Sequence, residues 1–576
     1  MICIILDYTR YHFKRVFGRL LLPVNTNFHI MKRPEILDFE QERIRVLHYT
    51  WIAFFLTFYV WFNMAPMATT MLENVNWLTK SHIKVLLICN VALTIPARIV
   101  VGALIDKYGP RRVFSGLMVL MGIPGFMFAF GNSFIQLMIS RLVLGSIGAG
   151  FVIGIKMVAN WFPPKMVGRA EGFYAGWGNF GSAAAAGSLP FICITILEHW
   201  FGFGENSWRW TLFLSTLVCT VYGFIYWFIV KDNPEGKKPT RAKKTEPMKV
   251  TSYGDLIQYL VWSFPLLGAM AVLAWKIQGV QIVVNGVEQN IYSETVLYII
   301  YGILLLMYIA HVVKVLQVNL PYLRAGVPEK DKYHWGSVAA LNSTYFANFG
   351  AELAVVSMLP MFFQTVFSGL TNDEGTSIMT AEMAGLVAGS FAFVNLFARP
   401  LGGLLSDLMS NRKRTMLIYM IGIALGFLGM AMIGKYGGVV DGEQTIIPLF
   451  DGMWWLVASV IITVICSIFV QGAEGATFAI IPMINKKMTG QVAGMAGAYG
   501  NVGAVIYLVI FSLVDAKTFF FIVSAGAAIS FIFCWIMLDE PKGSFDDEEE
   551  ERIHDAELLS DNNVPESTDQ KIVQEI

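Results

Sequence analysis

Apolar runs, each long enough to cross a lipid bilayer, alternate with short polar stretches over most of the 576 residues. A spanning helix takes about 20 mostly apolar residues. Fourteen segments qualify: 47–70, 83–105, 113–131, 134–162, 170–197 and 207–231, then 252–275 and 295–317, then 335–363, 380–405, 414–434, 451–482, 490–513 and 517–538. The pattern predicts an all-α polytopic membrane protein. It divides into a cytoplasmic N-terminal segment (1–45), a six-helix half (46–231), a basic linker with an inserted helix pair (232–334), a second six-helix half (335–538) and an acidic, disordered tail (539–576).

Basic residues in short loops set orientation. Lys107, Arg111 and Arg112 follow the second span, Lys165 and Arg169 the fourth, and the run from Lys237 to Lys244 the sixth. Arg412, Lys413 and Arg414, then Lys486 and Lys487, occupy the matching loops of the second half, so both termini are expected in the cytoplasm of a multi-pass cell-membrane protein. The two inserted spans keep the second half in the orientation of the first. Met31 opens a more usual polar N-terminus than residues 1–30, which read as an extension.

Composition narrows the classes. The chain is 55% hydrophobic and only 15% charged, with zero net charge, and its mean hydropathy is +0.57; nothing suggests a nucleic-acid partner. The six cysteines are scattered without metal-type spacing, so no metal or cofactor is expected. No HExxH, P-loop or nucleophile elbow occurs, which argues against an enzyme.

Two motifs recur in order. Arg98-x3-Gly102-x3-Asp106 returns as Arg399-x3-Gly403-x3-Asp407, 301 positions later. The stretch Glu171-Gly172-Phe173-Tyr174-Ala175-Gly176-Trp177-Gly178-Asn179-Phe180-Gly181 returns as Ala493-Gly494-Met495-Ala496-Gly497-Ala498-Tyr499-Gly500-Asn501-Val502-Gly503, with Asn501 322 positions after Asn179. Repeats on helices of the same direction imply parallel halves with a binding site between them near the midplane.

Arg98 lies eight residues before Asp106, roughly 12 Å up its helix from the cytoplasmic end, and Arg399 sits at the same depth. A buried arginine is costly without a partner. Neither has a carboxylate within a turn, so the expected partner is an anionic ligand. The planar guanidinium fork matches a flat oxyanion bidentately, and two of them could clamp a trigonal anion. The alternative is that each pairs with a carboxylate from another helix, such as Glu352 or Glu474. Arg141 and Lys156 are further charges in the apolar runs, and each is either functional or one side of a structural pair. Glycines of the repeated motif allow close helix packing, while Asn179 and Asn501 can donate to an anion. The loop Gly102 to Arg112, with Asp106 accepting from a neighbouring helix N-terminus, reads as a gating element, as do Gly403 and Asp407.

Gly102-x3-Asp106-Lys107-x-Gly109-x-Arg111-Arg112 resembles the loop signature of the major facilitator superfamily. Ala175 to Gly181 with Gly497 to Ala504 resembles the paired signatures of its nitrate/nitrite porter family. The resemblance covers about 45–231 and 335–538; the inserted pair departs from the usual twelve-helix pattern. It implies the major facilitator fold, Arg98 and Arg399 as the anion's grip, Gly178, Asn179, Gly500 and Asn501 as its signature contacts, and Phe58, Phe151, Tyr345 and Phe349 as site-lining rings. It implies no cofactor.

Carrying an anion into an inside-negative cell costs about 2.3 kcal/mol per 100 mV. Proton-coupled nitrate import by a monomer is therefore expected, with Glu352 and Glu474 as proton-coupling residues. Nitrate/nitrite exchange, whose charges cancel, is the runner-up. A non-transporting anion sensor, suggested by the acidic tail and the insertion, is the reading of a different class.

Overall fold

The computed structural model describes residues 37–234, 247–284, 287–328, 332–409, 411–440, 443–485 and 488–540. The extension before residue 37, the basic run 237–244, Lys486, Lys487, the acidic tail and the side chains of Lys165 and Asp407 lie outside the described residues.

Helix is the form that satisfies every backbone group within one segment in lipid, and fourteen helices are long and apolar enough to span. In chain order they are α1 (Glu42–Asn74), α2 (Lys80–Tyr108), α3 (Pro110–Ala129), α4 (Phe134–Trp161), α5 (Arg169–Trp200), α6 (Gly204–Ile229), α7 (Tyr253–Gln278), α8 (Glu294–Arg324), α9 (Trp335–Val366), α10 (Ala381–Ser406), α11 (Arg412–Ala431), α12 (Met453–Ile484), α13 (Thr489–Leu513) and α14 (Ala516–Met537). Their starts carry the side-chain caps the sequence offers. Thr79 and His82 form a reciprocal capping box at α2, and Ser133, Ser252, Thr380, Asn411 and Asp515 each accept a backbone N–H at the start of a helix, satisfying donors a helix leaves open. Two antiparallel hairpins, β1 (Gln281–Val284) with β2 (Val287–Asn290) and β3 (Gly434–Val440) with β4 (Glu443–Pro448), lie in loops on the face away from the termini.

Within the halves the packing repeats: α3 lies on α6 as α11 lies on α14. Across the halves, α5 packs on α10, and α13 packs on α2. On the face away from the termini the seam is tied by side chains: Thr69 donates to Gln364 at 2.7 Å and Thr195 to Glu382 at 2.6 Å. The third helix of each half starts on an acid that follows the last helix of that half. Asp232 accepts from the Arg111 backbone N–H at 2.7 Å, and Glu540 accepts from Arg412 and Lys413 N–H at 2.9 and 2.8 Å. The sequence pattern points to Asp106 for such capping; Asp106 is exposed, and Asp232, distant in sequence, accepts from the start of α3 instead.

The inserted pair is not an isolated hairpin. Helix α7 packs on α2, α9 and α13, while α8 packs on α7 and is only 6% buried over its apolar window. Four polar contacts help to fix the pair. Asn319 of α8 accepts from Val250 N–H at 2.8 Å and donates to Met248 O at 3.1 Å, Asp255 accepts from Trp335 N–H at 3.3 Å, and the Tyr499 hydroxyl of α13 donates to the Trp262 carbonyl of α7.

Candidate functional site

The site begins with two broken helices. Helix α2 runs as Lys80–Ala92 and Thr94–Tyr108 around Leu93, and α10 as Ala381–Phe393 and Asn395–Leu408 around Val394. In α2, Pro96 has no N–H for the Ala92 carbonyl, which opens the ladder there. In α10 no proline stands at the matching place; Asn395 starts the second segment with its side chain turned to Glu352. Both breaks fall five residues before an arginine, so Arg98 and Arg399 project from equivalent turns and are 6% and 4% exposed.

Arg98 reaches across to the other half. Its Nη1 donates to the Gly497 carbonyl of α13 at 2.6 Å, and its guanidinium carbon lies 5.4 Å from the Phe151 ring and 5.6 Å from the Phe349 ring. A Cβ at Gly497 would stand 2.8 Å from that Nη1, so the glycine is what allows the reach. Asn501 donates to the same carbonyl at 3.1 Å. The Arg98 Nε and Nη2, both amide atoms of Asn179 and the Asn501 Oδ1 are buried without a hydrogen-bond partner. Such groups cost about 1–3 kcal/mol each when left unmet.

Arg399 faces the same Phe349 ring at 5.7 Å. Its Nη2 is ion-paired with Glu474 Oε2 of α12, and Glu352 Oε2 of α9 lies 3.9 Å away. Glu352 is held by its other oxygen, which accepts from Asn395 Nδ2 at 2.5 Å. The expectation of two arginines without counter-charge therefore needs correcting. It describes Arg98, which has no carboxylate partner among the described residues, and fails for Arg399, where the alternative of a carboxylate from another helix holds, with Glu474 and Glu352 the residues concerned. Nε and Nη1 of Arg399 are buried without a hydrogen-bond partner.

Aromatic rings wall this pair. Tyr345 stacks on Phe349 at 5.1 Å, and both rings fill the place a Cβ at Gly500 would take. In the first half the Phe54 ring does the same at Gly178. Phe478 joins Tyr345 at 5.5 Å to Phe151 at 5.8 Å. Phe58 is one layer back, touching Phe54 at 4.7 Å.

The other predicted residues fall elsewhere. Arg112 is exposed on the termini face. Nothing would crowd a Cβ at Gly102, and a Cβ at Gly403 would stand 3.6 Å from Gly475 O. Lys156 is exposed. Arg141, fully buried, donates to Trp61 O at 2.6 Å and Asn63 Oδ1 at 2.9 Å; it holds the carbonyl end of the first segment of α1, Glu42–Trp61, as cations do at helix C-termini.

Sequence reasoning missed Phe54, Asn395 and Phe478. The signal for Phe478 was a third repeat: Gly145-Ser146-Ile147-Gly148-Ala149-Gly150-Phe151 returns as Gly472-Ala473-Glu474-Gly475-Ala476-Thr477-Phe478, 327 positions later.

The arrangement is that of a membrane carrier: two duplicated bundles meeting at a buried, charged midpoint. The profile described as Major Facilitator Superfamily matches residues 50–327 and 341–570. The nitrate/nitrite transporter NrtP of Picosynechococcus sp. is 40% identical over 541 residues, covering 87% of this chain and 94% of that one. The protein of the same name in Nostoc punctiforme is 40% identical over 508 residues, covering 88% and 94%. Among solved structures, the inward-open xylose transporter XylE from E. coli shares the fold with TM-score 0.54 at 14% identity, covering 87% of this chain and 98% of that one. The chain belongs to the major facilitator superfamily and, within it, to the nitrate/nitrite porter family, and is a transporter rather than an enzyme.

Proposed function

We propose that this chain carries nitrate and nitrite by alternating access between the halves 46–231 and 335–538, working as a proton-coupled importer in the cell membrane. The observation that carries the reading is the set of buried guanidinium donors without partners, on Arg98 and on Arg399, around one Phe349 ring. A flat anion of three oxygens fits such donors from two sides. Asn179 and Asn501 bring further amide groups from the two signature helices. The names of the NrtP relatives support the cargo.

Direction is argued from energy. An anion entering against about 100 mV needs about 2.3 kcal/mol, and the carboxylates beside Arg399 supply a place for a compensating proton. The basic residues Lys107, Arg111, Arg112, Arg169, Arg412, Lys413 and Arg414 all lie on the termini face, which supports cytoplasmic termini. One chain holds the complete site, so a monomer suffices.

The test is labelled-nitrate flux in liposomes holding the purified chain. Uptake should follow an imposed inward proton gradient; flux that ignores the gradient and needs internal nitrite selects exchange instead, and absence of any counterflow selects the sensor. Arg399→Lys keeps the charge and loses the fork. Hydrogen bonds to charged groups are worth about 1.5–3 kcal/mol, so nitrate affinity should fall about tenfold or more. Near-normal uptake by this variant would count against planar recognition.

A further inference from the structure

The third repeat sets Glu474 opposite Ile147: the two occupy the same position of Gly-x-x-Gly-Ala-x-Phe, 327 residues apart. The duplicated site is thus symmetric in its arginines, asparagines and phenylalanines, while at this repeated position one half carries a charge and the other does not. The asymmetry has a structural result, because Arg399 is ion-paired with Glu474 whereas Arg98 turns to a backbone carbonyl.

The two carboxylates near Arg399 are held differently. Glu352 has a second anchor in Asn395. Glu474 is 0% exposed, its Oε1 has no hydrogen-bond partner, and Arg399 is the cation it touches. Glu474 is therefore the carboxylate that can let go. The charged and titratable groups around it are Arg399 on α10, Glu352 and Tyr345 on α9, Arg98 of α2 across the Phe349 ring, and Tyr419 of α11, which lies against Gly472.

We propose that Glu474 occupies the seat on Arg399 that the transported anion takes, so that anion binding displaces the carboxylate, which accepts a proton, and the two cross together. The proposal rests on the nitrate/nitrite reading and names the coupling residue within it. A carboxylate stripped of its counter-charge in a closed apolar site is stable only in its neutral form. The balance is simple. One proton from the side of entry forms an O–H bond on Glu474, the anion's oxygens take the Arg399 donors, and the site's net charge does not change. On the other side the anion leaves, the O–H bond breaks, the proton goes to water and Glu474 pairs with Arg399 again.

The experiment measures nitrate affinity against pH, together with proton uptake on nitrate addition, for the purified full chain in weakly buffered detergent with a pH indicator dye. The wild type should take up a proton for each nitrate bound and bind more tightly as pH falls, since protonated Glu474 no longer competes. Glu474→Gln should take up none, and at neutral pH should bind about tenfold more tightly, at a level the wild type reaches only in acid. Ile147→Glu gives Arg98 a carboxylate of its own and should weaken binding more at neutral than at acid pH. Wild-type binding without proton uptake, or a Glu474→Gln protein that keeps wild-type proton uptake, overturns the proposal and leaves nitrate transport intact. A wild type that binds no nitrate overturns the underlying reading. If Glu474→Gln fails to fold, the wild-type uptake and the Ile147→Glu pH profile still decide.

Discussion

Arg98 and Arg399 descend from one repeated position, yet they differ in what neutralises them. Arg98 depends on backbone geometry: its reach to Gly497 O exists because no side chain stands between them. Gly497→Ala should push the guanidinium aside at a cost of about 1–3 kcal/mol, read as roughly tenfold weaker nitrate binding with the fold intact by size-exclusion profile. Unchanged affinity would show that the Arg98–Gly497 contact does not shape the site. At this scale the sequence was informative about residue type and left the pairing as two alternatives. The repeated arginines stood out because lipid makes an unpaired charge costly. The Arg399–Glu474 pair was open to the sequence only as an alternative, since its members are 75 positions apart on different helices and nothing in the pattern says which arginine Glu474 meets. The third repeat escaped because its one charged position replaces Glu474 with Ile147 in the first half.

Whole helices were the most legible feature. Each of the fourteen spans announces itself, because a segment in lipid must be apolar along its length and helical along its backbone. The interruptions at Leu93 and Val394 were less visible: Pro96 hints at the first, while the second is marked only by Asn395, whose side chain turns to Glu352. The inserted pair shows how a helix barely covered by protein stays attached. Asn319 is fully buried on the largely apolar α8 and serves both Val250 N–H and Met248 O. Asn319→Leu leaves those groups unmet and should cost about 1–3 kcal/mol. Thermal unfolding in detergent, followed by tryptophan fluorescence, should show a lowered midpoint; an unchanged midpoint would mean that lipid-like packing alone secures α8.

For the molecule as a whole, alternating access requires the seam on the face away from the termini to part. Thr69 with Gln364, and Thr195 with Glu382, bridge that seam. A Thr69→Cys, Gln364→Cys pair in a Cys3→Ser background, joined by a short bis-thiol reagent, should abolish nitrate counterflow, and cleaving the reagent should restore it. Counterflow that persists in the joined protein would place the moving seam elsewhere. The five cysteines of the spans are buried and should not compete for the reagent.

Asp232 clasps the start of α3 and Glu540 the start of α11, each from just past the last helix of its own six-helix unit. Every bundle is thereby closed tail to middle by its own chain and does not need the connecting segment to keep its shape. A gene interrupted between codons 234 and 247 should yield two co-expressed polypeptides that find each other in the bilayer and recover a working carrier, the larger piece bringing the extra helix pair with it.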